Sequence, residues 1–284
     1  MEALRSVLVV LAGNEDDRDL LAKVVRFARP QRAHVQLFSC DWESARLMAR
    51  ACDNRDFERV RAISLDRELA HQQKLLTWLR AEGLEADGEA VWEPTHYEAV
   101  VRMAMRCRPD LVIKRIGLPR ATGNLTLDSR DWQLVRTCPA PLLLSRPRSW
   151  AERPQIAAVI DTEQAGAGLC ARIVRTAEYF RGLCDGDLAL LFGEEIGESD
   201  GQKSARSGGC EPRAYDVMVL GAMTSGQRLT EVVGTLTCEL IEKPTSDLLL
   251  LPPLQRGRAA RSELRFLSVV APRIERQLLS TFPK

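Results

Sequence analysis

Apolar residues along this chain fall into two alternating kinds of run. Short unbroken stretches stand at residues 6–11 (SVLVVL), 34–40 (HVQLFSC), 89–92 (EAVW), 110–114 (DLVIK) and 141–145 (PLLLS). Runs of this length and composition predict strands buried on both faces of a sheet. Between them the apolar positions recur at helical spacing. Leu20, Leu21, Val24, Val25 and Phe27 form one such face, and Pro30 helps to stop that helix. A long helix is predicted over residues 57–82 from Val60, Ile63, Leu65, Leu69, Leu75, Leu76 and Leu79, with Gly83 ending it. Thr95, with Glu98 three residues on, reads as the capping box of another helix. Residues 131–137 predict a short one before the fifth strand. Strands alternating with helices imply right-handed crossovers and a parallel, doubly wound sheet.

The pattern then starts again. Residues 146–154 (RPRSWAERP) read as a linker, with prolines and charges around Trp150. Strands follow at 156–160, 188–192, 215–220 and 247–251, with helices at 169–183 and 230–242. The expected fold class is therefore α/β, two tandem doubly wound repeats: a complete one over residues 1–148 and a truncated one over 154–253. In the second, residues 193–213 are rich in Gly, Ser and Glu and read as a mobile loop. It stands where the first repeat has its third strand and flanking helices. Loss of that strand would bare a flank of the sheet to the other repeat, the tail or a partner. Residues 254–284 form a C-terminal tail in which Leu264, Phe266, Leu267, Val269 and Val270 point to partial packing.

Composition narrows the function. The chain has 284 residues, a formal net charge of +1, 45% hydrophobic and 28% charged residues, the balance of a protein with a sizeable core and no bulk affinity for nucleic acid or an acidic membrane. A basic cluster at Arg256, Arg258, Arg261 and Arg265 reads as a solvated face. The apolar runs are too short to span a bilayer, and residues 1–5 lack the apolar stretch of a signal peptide, so a cytoplasmic location is expected. The eight cysteines form no C-x-x-C pair and are expected to be reduced, partly buried thiols, with Cys210 in a polar loop as the exception. The three histidines predict no convergence: His34 and His71 read as edge or surface residues, and His96 follows a helix cap. Paired carboxylates such as Asp16-Asp17 read as solvated turn residues. No catalytic constellation and no metal site is predicted.

Several segments resemble one known family. Val9-Val10 leads into Asn14-Glu15-Asp16-Asp17, Ala90-Val91-Trp92 precedes a helix, and Asp110-Leu111-Val112-Ile113-Lys114 precedes a loop. Asp131-Trp132 then opens the run to Arg136-Thr137-Cys138-Pro139-Ala140-Pro141, and the second half adds Asp216-Val217-Met218-Val219-Leu220-Gly221 and Gly234-Thr235. Over residues 5–253 the chain resembles the tandem universal stress proteins. The resemblance implies a five-stranded parallel sheet in each full repeat and pairing of repeats within or between chains. Its nucleotide-binding members use an Asp ending the first strand and a loop of the form Gly-x-x-Gly, nine residues, then Gly-Ser/Thr. Such a loop lets backbone N–H groups approach phosphates at a helix N-terminus.

The two halves differ against that pattern. In the first, Ala12 stands at the acidic position, and the loop over 116–129 has Gly117 and Gly123 at the wrong spacing and ends in Asp128, which would repel phosphate. In the second, Asp161 stands at the acidic position, Gly221 matches the first loop glycine, Gly234-Thr235 the final pair, and Thr224 replaces the middle glycine with Gly226 two residues on. The expectation is a non-catalytic stress-response protein with degenerate nucleotide sites and no required cofactor. It would act through self-association, as a homodimer or an intrachain repeat pair, and through an unidentified protein partner. The alternative is a sensor that binds ATP or AMP in the second repeat. A slow ATP hydrolase is the third reading, with no base or metal ligand behind it.

Overall fold

The computed structural model describes residues 3–50, 54–116, 127–160, 167–192, 215–221, 240 and 245–252. Its framework is one nine-stranded sheet. The first half supplies β1 (Ser6–Val10), β2 (His34–Cys40), β3 (Ala86–Val91), β4 (Leu111–Arg115) and β5 (Leu142–Ser145); the second supplies β6 (Gln155–Ile160), β7 (Asp187–Phe192), β8 (Val217–Gly221) and β9 (Asp247–Leu251). The strand order is β3-β2-β1-β4-β5-β9-β8-β6-β7. Within each half the pairing is parallel, and the halves meet through an antiparallel β5–β9 pair. The two repeats thus form a single sheet, the second repeat running back along the same order without a strand in the place of β3 among the described residues.

Each central strand is apolar on both faces because helices cover both. Val7 and Val9 of β1 point into one core cluster, Leu8 and Val10 into the other. The first cluster is closed by α1 (Asp17–Ala28), the C-terminal half of α3 (Asn54–Ala81) and α6 (Ala167–Cys184). The second is closed by α4 (His96–Cys107) and α5 (Ser129–Thr137). Chain reversals follow the sequence signals. Gly83 takes φ +81° after α3, and Pro30 lies in the 3-10 turn that ends α1. Thr95 stands at the N-cap of α4, but its side chain makes no capping bond, so the expected capping box is not formed. A short helix, α2 (Trp42–Met48), has no counterpart in the periodicity reading. It is started by Asp41, whose carboxylate accepts the Ser44 N–H at 3.1 Å and the Ser64 hydroxyl at 2.5 Å. The bonds from the two serines outweigh burial, which alone would raise it, and hold this carboxyl below its ordinary pKa.

The segment read as a linker is largely exposed but sends Trp150 into the core. Trp150 is 8% exposed and packs between Phe27 of α1 and Phe180 of α6, with ring centroids 6.2 and 5.9 Å away. Arg26 donates to the carbonyls of Ala151 and Glu152, and the Leu4 N–H donates to the Tyr179 hydroxyl at 2.7 Å. Of the expected elements, the helix over 230–242 lies, but for Leu240, outside the described residues, as do the loop over 193–213 and the tail over 254–284.

Candidate functional site

In an open α/β sheet, ligands bind beyond the carboxyl ends of the strands where the strand order reverses. In the first repeat that place lies between β1 and β4, and in the second between β6 and β8. The loop leaving β1 turns through Gly13 at φ +75° and points three successive backbone N–H groups into one concavity. Such a nest binds anions. Here the anion is internal. The Asp17 carboxylate accepts the N–H of Ala12 at 2.8 Å, of Gly13 at 2.9 Å and of Asn14 at 3.2 Å, and lies 3.0 Å from His71 Nε2. Asp17 is fully buried and His71 comes from α3, so a residue fifty-four positions away completes the shell. The reading of Asp17 as a solvated turn residue and of His71 as a surface residue is therefore corrected. Asp17 is buried, and His71, with a quarter of its side chain exposed, reaches it through a long-range contact that left no local signal.

The second anion position is the N-terminus of α5, which follows the loop after β4. Its first free N–H groups, those of Arg130 and Asp131, donate to the Asp128 carboxylate at 2.8 and 2.9 Å. The Arg130 guanidinium, donating to the same carboxylate through Nε at 2.7 Å, also lies 4.0 Å above the Trp42 ring. These bonds outweigh the burial that would raise the Asp128 pKa and hold it below the ordinary carboxylate range. Beneath them Asp131, fully buried, accepts from Lys114 at 2.5 Å, while burial pushes its carboxyl pKa up against the pull of that lysine. His96 completes the group. Burial, reinforced by the cations Lys114 and Arg130, depresses its pKa to about 3, so it is neutral over the physiological range. The helix dipole and the loop cation of the first repeat are thus engaged by the chain's own carboxylates.

In the second repeat β6 ends at Ile160, so position 161 follows the strand directly, as the sequence pattern requires. Asp161, Thr224, Gly226, Gly234 and Thr235 lie outside the described residues. Gly221, the last residue of β8, is described. A Cβ there would come within 2.7 Å of Leu169 Cδ2 on α6. Close helix–strand approach favours a glycine at this position, since a side chain there would have to push the end of Leu169 aside.

Nucleophiles are no more promising. Cys40, Cys138 and Cys184 have thiol pKa values pushed by burial to about 12, 11 and 12. They are free thiols, as is Cys107. Among the described residues no group of three His, Cys, Asp or Glu could hold a metal ion, and no helix is long and apolar enough to cross a membrane.

No family model matches the chain. Individual proteins do. The Universal stress protein E of Photorhabdus laumondii is 22% identical over 162 residues, 57% of this chain and 51% of that protein. Its Escherichia coli K12 counterpart is 26% identical over 156 residues, 54% of this chain and 48% of that one. The relatives of this chain are universal stress proteins. The match spans about half the length of each of these curated relatives. Solved structures extend the likeness to the fold. A functionally unknown protein of Pseudomonas aeruginosa PAO1 superposes with a TM-score of 0.65 at 19% identity, covering 95% of this chain and 98% of its own. A universal stress protein of Archaeoglobus fulgidus DSM 4304 gives 0.52 at 10% identity, covering 89% and 98%. The architecture is that of tandem universal-stress-type repeats, the second truncated.

Proposed function

We propose that this protein is a non-catalytic stress-response protein that acts through self-association and partner binding, with no nucleotide in its first repeat. The occupancy of both anion positions by Asp17 and Asp128 carries this reading. A phosphate entering either one would have to displace a buried or capping carboxylate from N–H groups it already satisfies, and like charges in so small a space repel strongly. The neutral, enclosed His96 and the raised thiol pKa values support the absence of an acid–base or nucleophilic centre in the same repeat. The packing of Leu169 against Gly221 accounts for that glycine without a ligand, which weakens the alternative of an ATP or AMP sensor in the second repeat.

The test is calorimetric titration of the full chain with ATP and with AMP, with and without magnesium. No saturable heat is expected. One-site binding abolished by Asp161→Ala would replace this reading with the sensor, and binding that survives Asp161→Ala would place a nucleotide elsewhere and overturn both.

A further inference from the structure

The junction between the repeats is built from leucines. Leu142 pairs with Leu250, Leu143 with Leu249 and Leu144 with Leu248. The side chains alternate between faces in step, Leu143 and Leu249 facing one core cluster while Leu142, Leu144, Leu248 and Leu250 face the other. A leucine edge of this kind carries little information. Sliding one strand by two residues keeps every side chain on its proper face, since strand faces repeat every second residue. Each edge would also fit a copy of itself on another molecule.

At one end of this pair the monotony stops. Continuing the register one step past Leu144 and Leu248 puts Ser145 opposite Asp247. Asp247 is 2% exposed and, among the described residues that bond to one another here, is the one drawn from the second repeat. Its carboxylate accepts from Lys23 Nζ at 2.7 Å, Trp150 Nε1 at 2.8 Å, the Arg146 N–H at 2.8 Å and Ser145 Oγ at 3.1 Å. All four donors come from the first repeat and the segment that follows it. Lys23, 5% exposed, also donates to Ser145 Oγ at 2.8 Å and the Arg146 carbonyl at 2.9 Å, so its ammonium makes three bonds. The Arg146 guanidinium also donates to the Thr245 carbonyl beside this cluster, while a further bond across the halves, from the Leu4 N–H to Tyr179, lies on a different element pair.

We propose that this buried cluster is the key that selects the partner and the register of β5: it makes the leucine edge of the first repeat complementary to β9 of the second and to no second copy of itself. Buried ion pairs contribute little net stability compared with apolar residues of similar shape, and their best-attested use is to specify registry. A slip of two residues would carry Asp247 about 7 Å from its donors, leaving a buried ammonium and a buried carboxylate apart. Pairing β5 with a second β5 in the same antiparallel sense would bring no Asp247 to Lys23 and would leave a buried ammonium without its carboxylate, an unfavourable pairing built into the edge.

The experiment compares the full chain with its Lys23→Met/Asp247→Leu variant by light scattering for mass and by cross-strand amide NOEs between Leu143 and Leu249 for register. The variant is expected to fold, to lose the single Leu143–Leu249 NOE pattern, and to show species heavier than the wild type. A folded variant with the wild-type mass and NOE pattern would overturn the proposal. Should the double variant fail to fold, Asp247→Asn decides the matter. A second register or a heavier species supports the key, whereas one register at unchanged mass overturns it. Failure of both to fold would also overturn it, because the cluster would then be needed for folding itself rather than for the choice of partner.

Discussion

Asp17 and His96 show how far a residue's role depends on what the fold brings to it. Asp17 begins a helix in an acidic run, where the local expectation is a solvated side chain favoured by the helix dipole. The sheet instead buries it under the loop it serves. His96 opens α4, buried beside the cations Lys114 and Arg130, and its Nδ1 has no hydrogen-bond partner among the described residues. Its pKa is lowered from 6.5 to about 3 on folding, so between those values the unfolded chain binds a proton that the folded chain does not. Stability therefore falls as the pH drops through this window, by up to about 1.4 kcal/mol per pH unit. Asp131 and Asp247, whose pKa values are raised by burial, act in the opposite sense and are common to both proteins in the comparison that follows. In urea titrations from about pH 7 to about pH 4, His96→Phe is expected to gain steadily on the wild type as the pH falls. Stability curves that run parallel would show that His96 does not stay neutral in the folded chain.

At the scale of elements, most of the fold was legible. The strands β2 and β9 fall on the residues that unbroken apolar runs marked, and the other strands lie within three residues of the reading. The parallel order within each repeat followed from the alternation of strands and helices. What stayed hidden was α2, too short to show a period, and the Asp41 cap that starts it by accepting the Ser44 N–H, supported by the Ser64 hydroxyl of α3. The candidate site was read less well. Asp128 was recognised as hostile to phosphate, but the nest of N–H groups that Asp17 fills depends on the conformation of the loop at Gly13, and the His71 contact on the approach of α3. Gly221 is the sharpest case, since a nucleotide loop and a tight helix–strand contact ask for the same residue. Gly221→Ala is expected to cost about 1 kcal/mol, because the partly exposed Leu169 has room to move aside. In a Leu169→Ala background the same change should cost nothing by chemical denaturation. An undiminished cost there would rule out packing as the reason for the glycine.

For the whole molecule, the consequence of tandem repetition is a closed seam. The strand that would otherwise be the edge of each repeat is paired with the other, Trp150 is driven between α1 and α6, and the segment joining the repeats is held on both sides. The sequence announced two repeats but not this seam, because leucine runs do not say which edge they will meet. The same chain that fills its own junction also fills its own anion positions, and the functional account rests on that second point. It is tested most directly by titrating isotopically labelled protein with ATP and following the amide resonances of Ala12, Gly13, Asn14, Arg130 and Asp131. Those amides are held by Asp17 and Asp128, so they should stay where they are at every ATP concentration. Saturable shifts of these five resonances would mean that nucleotide displaces the carboxylates, and the account of the first repeat would be wrong.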